Sequence, residues 1–262
     1  MKPTSGRVKA ARRLARRTSR EELRLFLAEG GKALAEALLL DGCVVEVFAT
    51  AAASEEYADL RRRVESLGLP WQLVTDEALV ALAGAVTPQG VVAVCRHLDV
   101  PLTDVLGGSL LVICADVRDP GNAGTIIRTA DAAGADAVVL AGHSVDAYNA
   151  KTVRATVGSL FHVPLAVEPD PAVAVRVARE AGYRVLAADG AGELDLFAAG
   201  DLLGGRVAWL FGNEAWGLPV ELAELADHRV AIPIHGRAES LNLATAAAVC
   251  LYASAETTRR PR

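Results

Sequence analysis

Apolar residues along this chain gather in short runs of about five or six, separated by stretches where they recur every third or fourth position. The runs at 44–49, 90–95, 110–115, 137–141, 163–167, 183–188, 206–211 and 229–234 are nearly continuous, as in strands buried on both faces, and 71–74 is a shorter one. Between them the pattern predicts helices. Ser19 opens one, with Glu22 completing a capping box and Leu23, Phe26 and Leu27 on one face. Others cover 32–40, 55–67, 76–83, 122–133 and 171–181, and two more begin at Pro219 and Leu241. Alternating strands and helices imply an α/β fold with a mostly parallel sheet covered on both faces.

The alternation is interrupted at 99–108, where Pro101, Gly107 and Gly108 mark a linker. It separates a small α/β module over 19–98 from a larger α/β domain over 109–262, and residues 1–18 form a basic arm ahead of both.

Charge sharpens that division. The chain of 262 residues carries a net charge of −5, which alone speaks against nucleic acid. Residues 1–20, however, hold eight basic side chains and no acidic one, leaving 19 of the 27 Lys and Arg against all 32 acidic residues for the remainder. A basic arm on an acidic body is a local phosphate-binding footprint, and it nominates Arg7, Lys9, Arg12, Arg13, Arg16 and Arg17 as RNA contacts. The competing reading is a solvated tail.

No apolar run approaches the roughly 18 residues of a membrane span. The basic N-terminus lacks the apolar core of a secretory signal. Cys43, Cys95, Cys114 and Cys250 lie far apart in apolar surroundings, the pattern of buried free thiols in a reducing cytoplasm, and neither they nor the scattered histidines have metal-ligand spacing. No metal and no membrane partner are expected.

Three stretches share one character, each a strand, a polar or glycine-rich loop and the opening of a helix. They are Asp116-Val117-Arg118-Asp119-Pro120-Gly121-Asn122-Ala123-Gly124-Thr125-Ile126-Ile127-Arg128, Leu210-Phe211-Gly212-Asn213-Glu214-Ala215-Trp216-Gly217-Leu218, and Ile232-Pro233-Ile234-His235-Gly236-Arg237-Ala238-Glu239-Ser240-Leu241-Asn242-Leu243-Ala244. Gly212 lets backbone approach a ligand, and Glu214 follows at the carboxyl edge of its strand, where open α/β sheets bind. Asn122, Gly124 and Thr125 open a helix whose free N–H groups favour an anion, and Arg128 is placed to reach the same end. An Arg paired with a helix-end carbonyl is the structural alternative. Ser240 is a natural N-cap for the last helix, worth about 1 kcal/mol in that role.

In this order the three stretches resemble motifs one, two and three of the SpoU/TrmH family, RNA ribose 2′-O-methyltransferases of the SPOUT superfamily that use S-adenosylmethionine. The resemblance covers roughly residues 109–256 and rests on Asn-x-Gly-x-x-x-Arg, Phe-Gly-Asn-Glu-x-x-Gly-Leu and Ser-Leu-Asn-Leu-Ala. It implies a SPOUT domain with a deep trefoil knot, dimerising through helices of that domain. It also implies site roles: Arg128 activates the ribose hydroxyl, Asn122 holds geometry, and Glu214, Ser240 and Asn242 organise the site. The donor's adenosine would lie among the backbone of Leu210, Gly212, Ile232 and Leu241, with Ala187 and Ala188 completing the pocket and Arg154 meeting its carboxylate or the RNA. An Arg side chain is always protonated and a ribose hydroxyl is a very weak acid. Arg128 therefore acts as a base only in an unusual environment; otherwise it stabilises the developing alkoxide while a phosphate oxygen or water takes the proton.

The first module resembles the substrate-binding domain often fused to SpoU enzymes, itself akin to a ribosomal-protein RNA-binding fold, best at Glu29-Gly30-Gly31-Lys32 and Thr87-Pro88-Gln89-Gly90-Val91. Arg61, Arg62 and Arg63 are nominated there as RNA contacts, against the plainer reading of a solvated helix face. The resemblance points to ribosomal RNA, specifically 23S rRNA, as substrate. Transfer RNA, a resistance-type rRNA methylase and a non-catalytic RNA-binding paralogue are the alternatives.

Overall fold

The computed structural model describes residues 1–84 and 87–259. It divides into two compact units, Met1–Leu98 with Asp146–Phe161, and Asp99–Val145 with the chain from His162 onward.

The first unit runs α1 (Gly6–Arg12), α2 (Arg17–Leu23), β1 (Leu25–Glu29), α3 (Gly31–Ala37), β2 (Val44–Ala49), α4 (Ala51–Glu56), α5 (Ala58–Ser66), β3 (Trp71–Leu73), α6 (Asp76–Leu82) and β4 (Val91–Arg96). Its four strands lie in the order β1-β4-β2-β3, with β4 antiparallel to β1 and β2, and β3 parallel to β2. Three expectations are corrected here. Residues 1–18, expected as an arm ahead of the first module, fold into it: Ser5 caps α1, and Val8, Ala11 and Leu14 are buried in one core with Phe48, Leu79 and Val92. The helix expected from Ser19 begins at Arg17 and ends at Arg24, whose φ of 53° is left-handed; Phe26 and Leu27 belong to β1, where burial alternates with period two. The helix expected over 55–67 is two helices broken at Tyr57.

The chain continues through β5 (Leu110–Ala115), α7 (Pro120–Ala133), β6 (Ala137–Ala141), α8 (Ala150–Thr156), β7 (Leu165–Glu168), α9 (Pro171–Glu180), β8 (Arg184–Ala188), β9 (Leu194–Asp195), β10 (Val207–Phe211), α10 (Val220–Ala223), β11 (His228–Ala231) and α11 (Leu243–Arg259). Helix α8 returns to the first unit. It arrives there on Asp146, which accepts from the buried Arg20 at 2.8 and 2.5 Å. Residues 99–108, read as the linker, fall within the second unit. Val100 bridges to Ala166 beside β7, and Leu102, Val105 and Leu106 pack into the second core.

The second unit is the predicted α/β sheet. Its seven strands are all parallel in the order β7-β6-β5-β10-β8-β11-β9. Leu111, Ile113, Ala208 and Leu210 face one core with Ala174, Val175 and Ala178 of α9. On the other side of β10, the buried Trp209 donates from Nε1 to Ser254 Oγ of α11 at 2.9 Å. Helix α11 also packs along α7. From β5 the chain moves outward to β6 and β7, then crosses to β8 on the opposite side. The reversal falls between β5 and β10, and the crevice at the carboxyl ends of such a pair is where open α/β sheets bind ligands.

Candidate active site

Two of the three motif loops leave from that switch point, after β5 and after β10. The second is a tight hairpin. Asn213 and Gly217 exchange N–H···O bonds of 2.9 Å each, and Gly217 adopts a φ of 71°. A Cβ on Gly212 would stand 2.4 Å from the Gly217 carbonyl carbon, so no other residue fits there. Asn213 is buried; its Oδ1 accepts from Ala215 N at 2.8 Å and its Nδ2 donates to Asp116 O at 2.7 Å. Asp116 itself is left-handed, with φ 55°, and accepts from His143 N at 2.7 Å. The ends of β5 and β10 are thereby tied through short polar side chains.

Glu214 extends the tie. Its carboxylate accepts from the backbone N–H groups of Arg118 at 3.2 Å and Asp119 at 2.9 Å, and from Asn122 Nδ2 at 3.3 Å. Asn122 Oδ1 in turn accepts from Asn242 Nδ2 at 3.0 Å. The chain Glu214–Asn122–Asn242 thus joins all three loops. Each member also anchors local structure: Asp119 caps α7 by accepting from Asn122 N at 2.8 Å, ahead of Pro120 in the first turn. Asn242 Oδ1 accepts from Ala244 N at 2.9 Å and Thr245 N at 3.3 Å. The last helix therefore starts at Leu243 with Asn242 as its cap. Ser240, expected in that role, is exposed in the loop before it.

Arg128 stands apart from this network. It is exposed on α7 and has no hydrogen bond or ion pair among the described residues. By helix geometry it sits about 9 Å along the axis and about 120° around from Asn122. It is a free cation near the bound loops, not a member of them.

The residues expected around the donor come from three neighbouring strands. Leu210 pairs with Ala187 across β10 and β8, and Ala188 pairs with Val230 across β8 and β11; Ile232 follows β11 directly. Small residues end these strands, Ala188 and Ile232 remain partly open, and Leu241 and Ile234 expose apolar surface, a setting that suits an adenosine held by backbone groups. Arg154 lies on α8 in the first unit and pairs with Glu29 at 3.5 Å. Nearby Cys114, wholly buried at the end of β5, has its thiol pushed up to about 12 by desolvation, with a smaller contribution from the Glu214 charge.

The expected RNA contacts divide into two groups. Arg61 pairs with Glu65 at 2.8 Å, Arg62 pairs with Asp59, and Arg63 donates to Leu38 O at 2.9 Å. Arg7 lies 3.8 Å from Glu46, and Arg17 pairs with Glu21 at 2.7 Å. Lys9, Arg12, Arg13 and Arg16, by contrast, are exposed and line a cleft of about 890 Å³ in the first unit.

Sequence reading passed over Asn213, Asp119, Arg118 and Trp216. Asp119 before Pro-Gly carried a legible cap signal; the others became visible only in contact. Among the described residues no cluster of three or more His, Cys, Asp or Glu gathers as a metal site.

Known protein families match both parts of the chain. A model of the SpoU rRNA Methylase family matches residues 109–252, and one of the MRM3-like substrate binding domain matches residues 6–93. The chain is 33% identical over 248 residues, 94% of each chain, to the 23S rRNA (guanosine(2553)-2′-O)-methyltransferase of Bacillus subtilis (strain 168). It is 41% identical over 138 residues, 51% of this chain and 47% of the other, to a 23S rRNA (uridine(2479)-2′-O)-methyltransferase of Streptomyces viridochromogenes. Among solved structures, the AdoMet-bound rRNA methyltransferase of Sinorhizobium meliloti matches with TM-score 0.86 at 36% identity, covering 97% of this chain and 95% of that one.

Proposed function

The chain belongs to the SpoU rRNA Methylase family, and from that premise we propose that it transfers a methyl group from S-adenosylmethionine to a ribose 2′-hydroxyl of 23S ribosomal RNA. The observation that carries the reading is the Glu214–Asn122–Asn242 chain, which draws three loops together at the sheet's switch point.

S-adenosylmethionine, when bound, supplies a methyl group already activated on a sulfonium. The protein's part is placement. Leu210, Gly212, Ile232 and Leu241, with Ala187 and Ala188, would hold the donor's adenosine. Glu214 accepts from Arg118, Asp119 and Asn122, so it serves the site as a tether that positions Asn122. Arg128, charged and unpaired, would meet the RNA and stabilise the negative charge developing on the 2′-oxygen as the methyl group passes to it from the sulfonium, which leaves as a neutral thioether. The hydroxyl proton leaves to a phosphate oxygen or water. Ser240, exposed and uncommitted, orients the target nucleotide from the third loop.

The first unit delivers the RNA. Its match to the substrate-binding model and the cleft bearing Lys9, Arg12, Arg13 and Arg16 support this role. The same reading carries a homodimer through helices of the second unit, a trefoil knot in its C-terminal segment, and a cytoplasmic place of action; it also keeps a paired Arg154 available to the donor or RNA only by exchange of its Glu29 partner.

Labelled S-adenosylmethionine, incubated with the protein and separately with total ribosomal and transfer RNA, tests the reading. Label at one alkali-resistant linkage of 23S rRNA is the expected result. Label in transfer RNA alone would keep the chemistry and overturn the substrate, and no donor binding would leave only a scaffold.

A further inference from the structure

Trp216 lies two residues beyond Glu214 at the tip of the hairpin and leaves 55% of its surface open to solvent. A large exposed aromatic beside a binding crevice needs an account, since a tryptophan of this kind is ordinarily covered. Its neighbours leave it uncrowded, for it is flanked by Ala215 and Gly217. Its backbone is pinned by the Asn213–Gly217 pair and the Asn213 contact to Ala215 N. One face of the indole is occupied: the Arg118 guanidinium carbon lies 5.1 Å from the ring centroid. Arg118 is itself held, because its backbone N–H donates to Glu214.

We propose that Trp216 is a stacking platform for a nucleobase of the RNA substrate next to the ribose that reacts, with Arg118 backing the ring. This rests on the RNA methylation reading above. The chemistry is specific to a base. A π-face stacks on any nucleobase, a guanidinium on the opposite face holds the indole in place, and a ring already fixed by its loop loses little freedom on binding. The same carboxylate that tethers Asn122 therefore also sets the platform. Glu214 couples the position of the base to the position of the reacting ribose.

The test uses the full chain. Trp216→Ala and Trp216→Phe are compared with the unaltered protein for methyl transfer to total ribosomal RNA and for S-adenosylmethionine binding by calorimetry. Trp216→Ala should lower kcat/KM by roughly ten- to hundredfold, within the range that loss of one base–aromatic stack allows, and Trp216→Phe should recover most of it. Donor affinity should stay unchanged in both. In parallel, a single-stranded RNA oligonucleotide should quench the intrinsic fluorescence of the unaltered protein but not of Trp216→Phe, while an abasic ribose-phosphate oligomer of the same length should not quench either. Equal transfer by Trp216→Ala, or equal quenching by the abasic oligomer, would overturn the platform and leave the methyltransferase reading standing. Absence of transfer by the unaltered protein, with donor bound, would sink both.

Discussion

The first unit contains two dense groups of arginine, and they have opposite circumstances. On α5, Arg61, Arg62 and Arg63 each find a partner within reach: Glu65, Asp59 and the Leu38 carbonyl. Around α1, Arg12, Arg13 and Arg16 share a cleft with Lys9 and find none among the described residues. The difference lies in what is available at helical spacing. Helix α5 carries carboxylates three and four positions from its cations, whereas residues 1–20 have no acidic residue at all. A cation with a local partner has already spent its interaction on the fold; one without a partner is left for a ligand. The same division separates Arg128, exposed and unpaired, from Glu214 and Asn122, whose hydrogen bonds are committed to one another.

The strongest way to break that division is at Arg128. If unpaired cations act on substrate, Arg128→Ala should lower kcat by roughly 10²- to 10³-fold, the scale of losing a donor to a developing oxyanion, with the thermal midpoint unchanged. Single-turnover methyl transfer measures it. Normal turnover in a folded Arg128→Ala protein would remove the residue from the chemistry. Glu214→Gln should do less and differently. The amide keeps one acceptor and brings an N–H toward donors, so the tie to Arg118, Asp119 and Asn122 is weakened, with roughly ten- to hundredfold lost in kcat/KM and about 1–2 kcal/mol in stability. Parallel loss of stability and rate is the signature of a tether.

Much of the second unit was legible because its signals were redundant. Residues 110–115 and 137–141 are continuous apolar runs between helices with clear caps, and the structure places β5 and β6 at those positions. The first unit was harder. Leu23, Phe26 and Leu27 fit a helical period better than a strand period, and only the pairing of Phe26 with Cys95 shows the strand. The candidate residues were legible in the sequence; the contacts between them were not. The motifs singled out Asn122, Glu214 and Asn242; that they touch one another depends on loops 92 and 120 positions apart, which no local pattern reports. Asn213 and Asp116 were missed for the same reason, since their worth lies in a bond between strand ends.

A smaller effect sharpens the two arginine groups directly. Replacing Arg12, Arg13 and Arg16 together with Gln should weaken RNA binding and reduce the slope of log K against log salt by about two, at roughly 0.7 per phosphate contact on single strands. The matching triple change at Arg61, Arg62 and Arg63 should leave that slope unaltered, because those side chains already have partners. Filter binding of ribosomal RNA across a salt series reads both. Equal slopes for the two variants would show that partnership in the free protein does not decide which cations meet RNA.

The smallest expected effect is in the third loop, where one pair of residues separates cap from site. Asn242 accepts from Ala244 N and Thr245 N, so Asn242→Ala should cost about 1 kcal/mol of stability, as loss of an N-cap does, and release Asn122 as well. Ser240 is exposed and lies before the helix begins, so Ser240→Ala should leave the unfolding midpoint in denaturant unchanged. Any loss of methyl transfer in Ser240→Ala then belongs to the substrate and not to the fold, a distinction that would be lost if the serine were the cap. A lowered midpoint in Ser240→Ala would mean that its hydroxyl supports the helix start after all, and its role in orienting the nucleotide would have to be argued from kinetics corrected for the folded fraction.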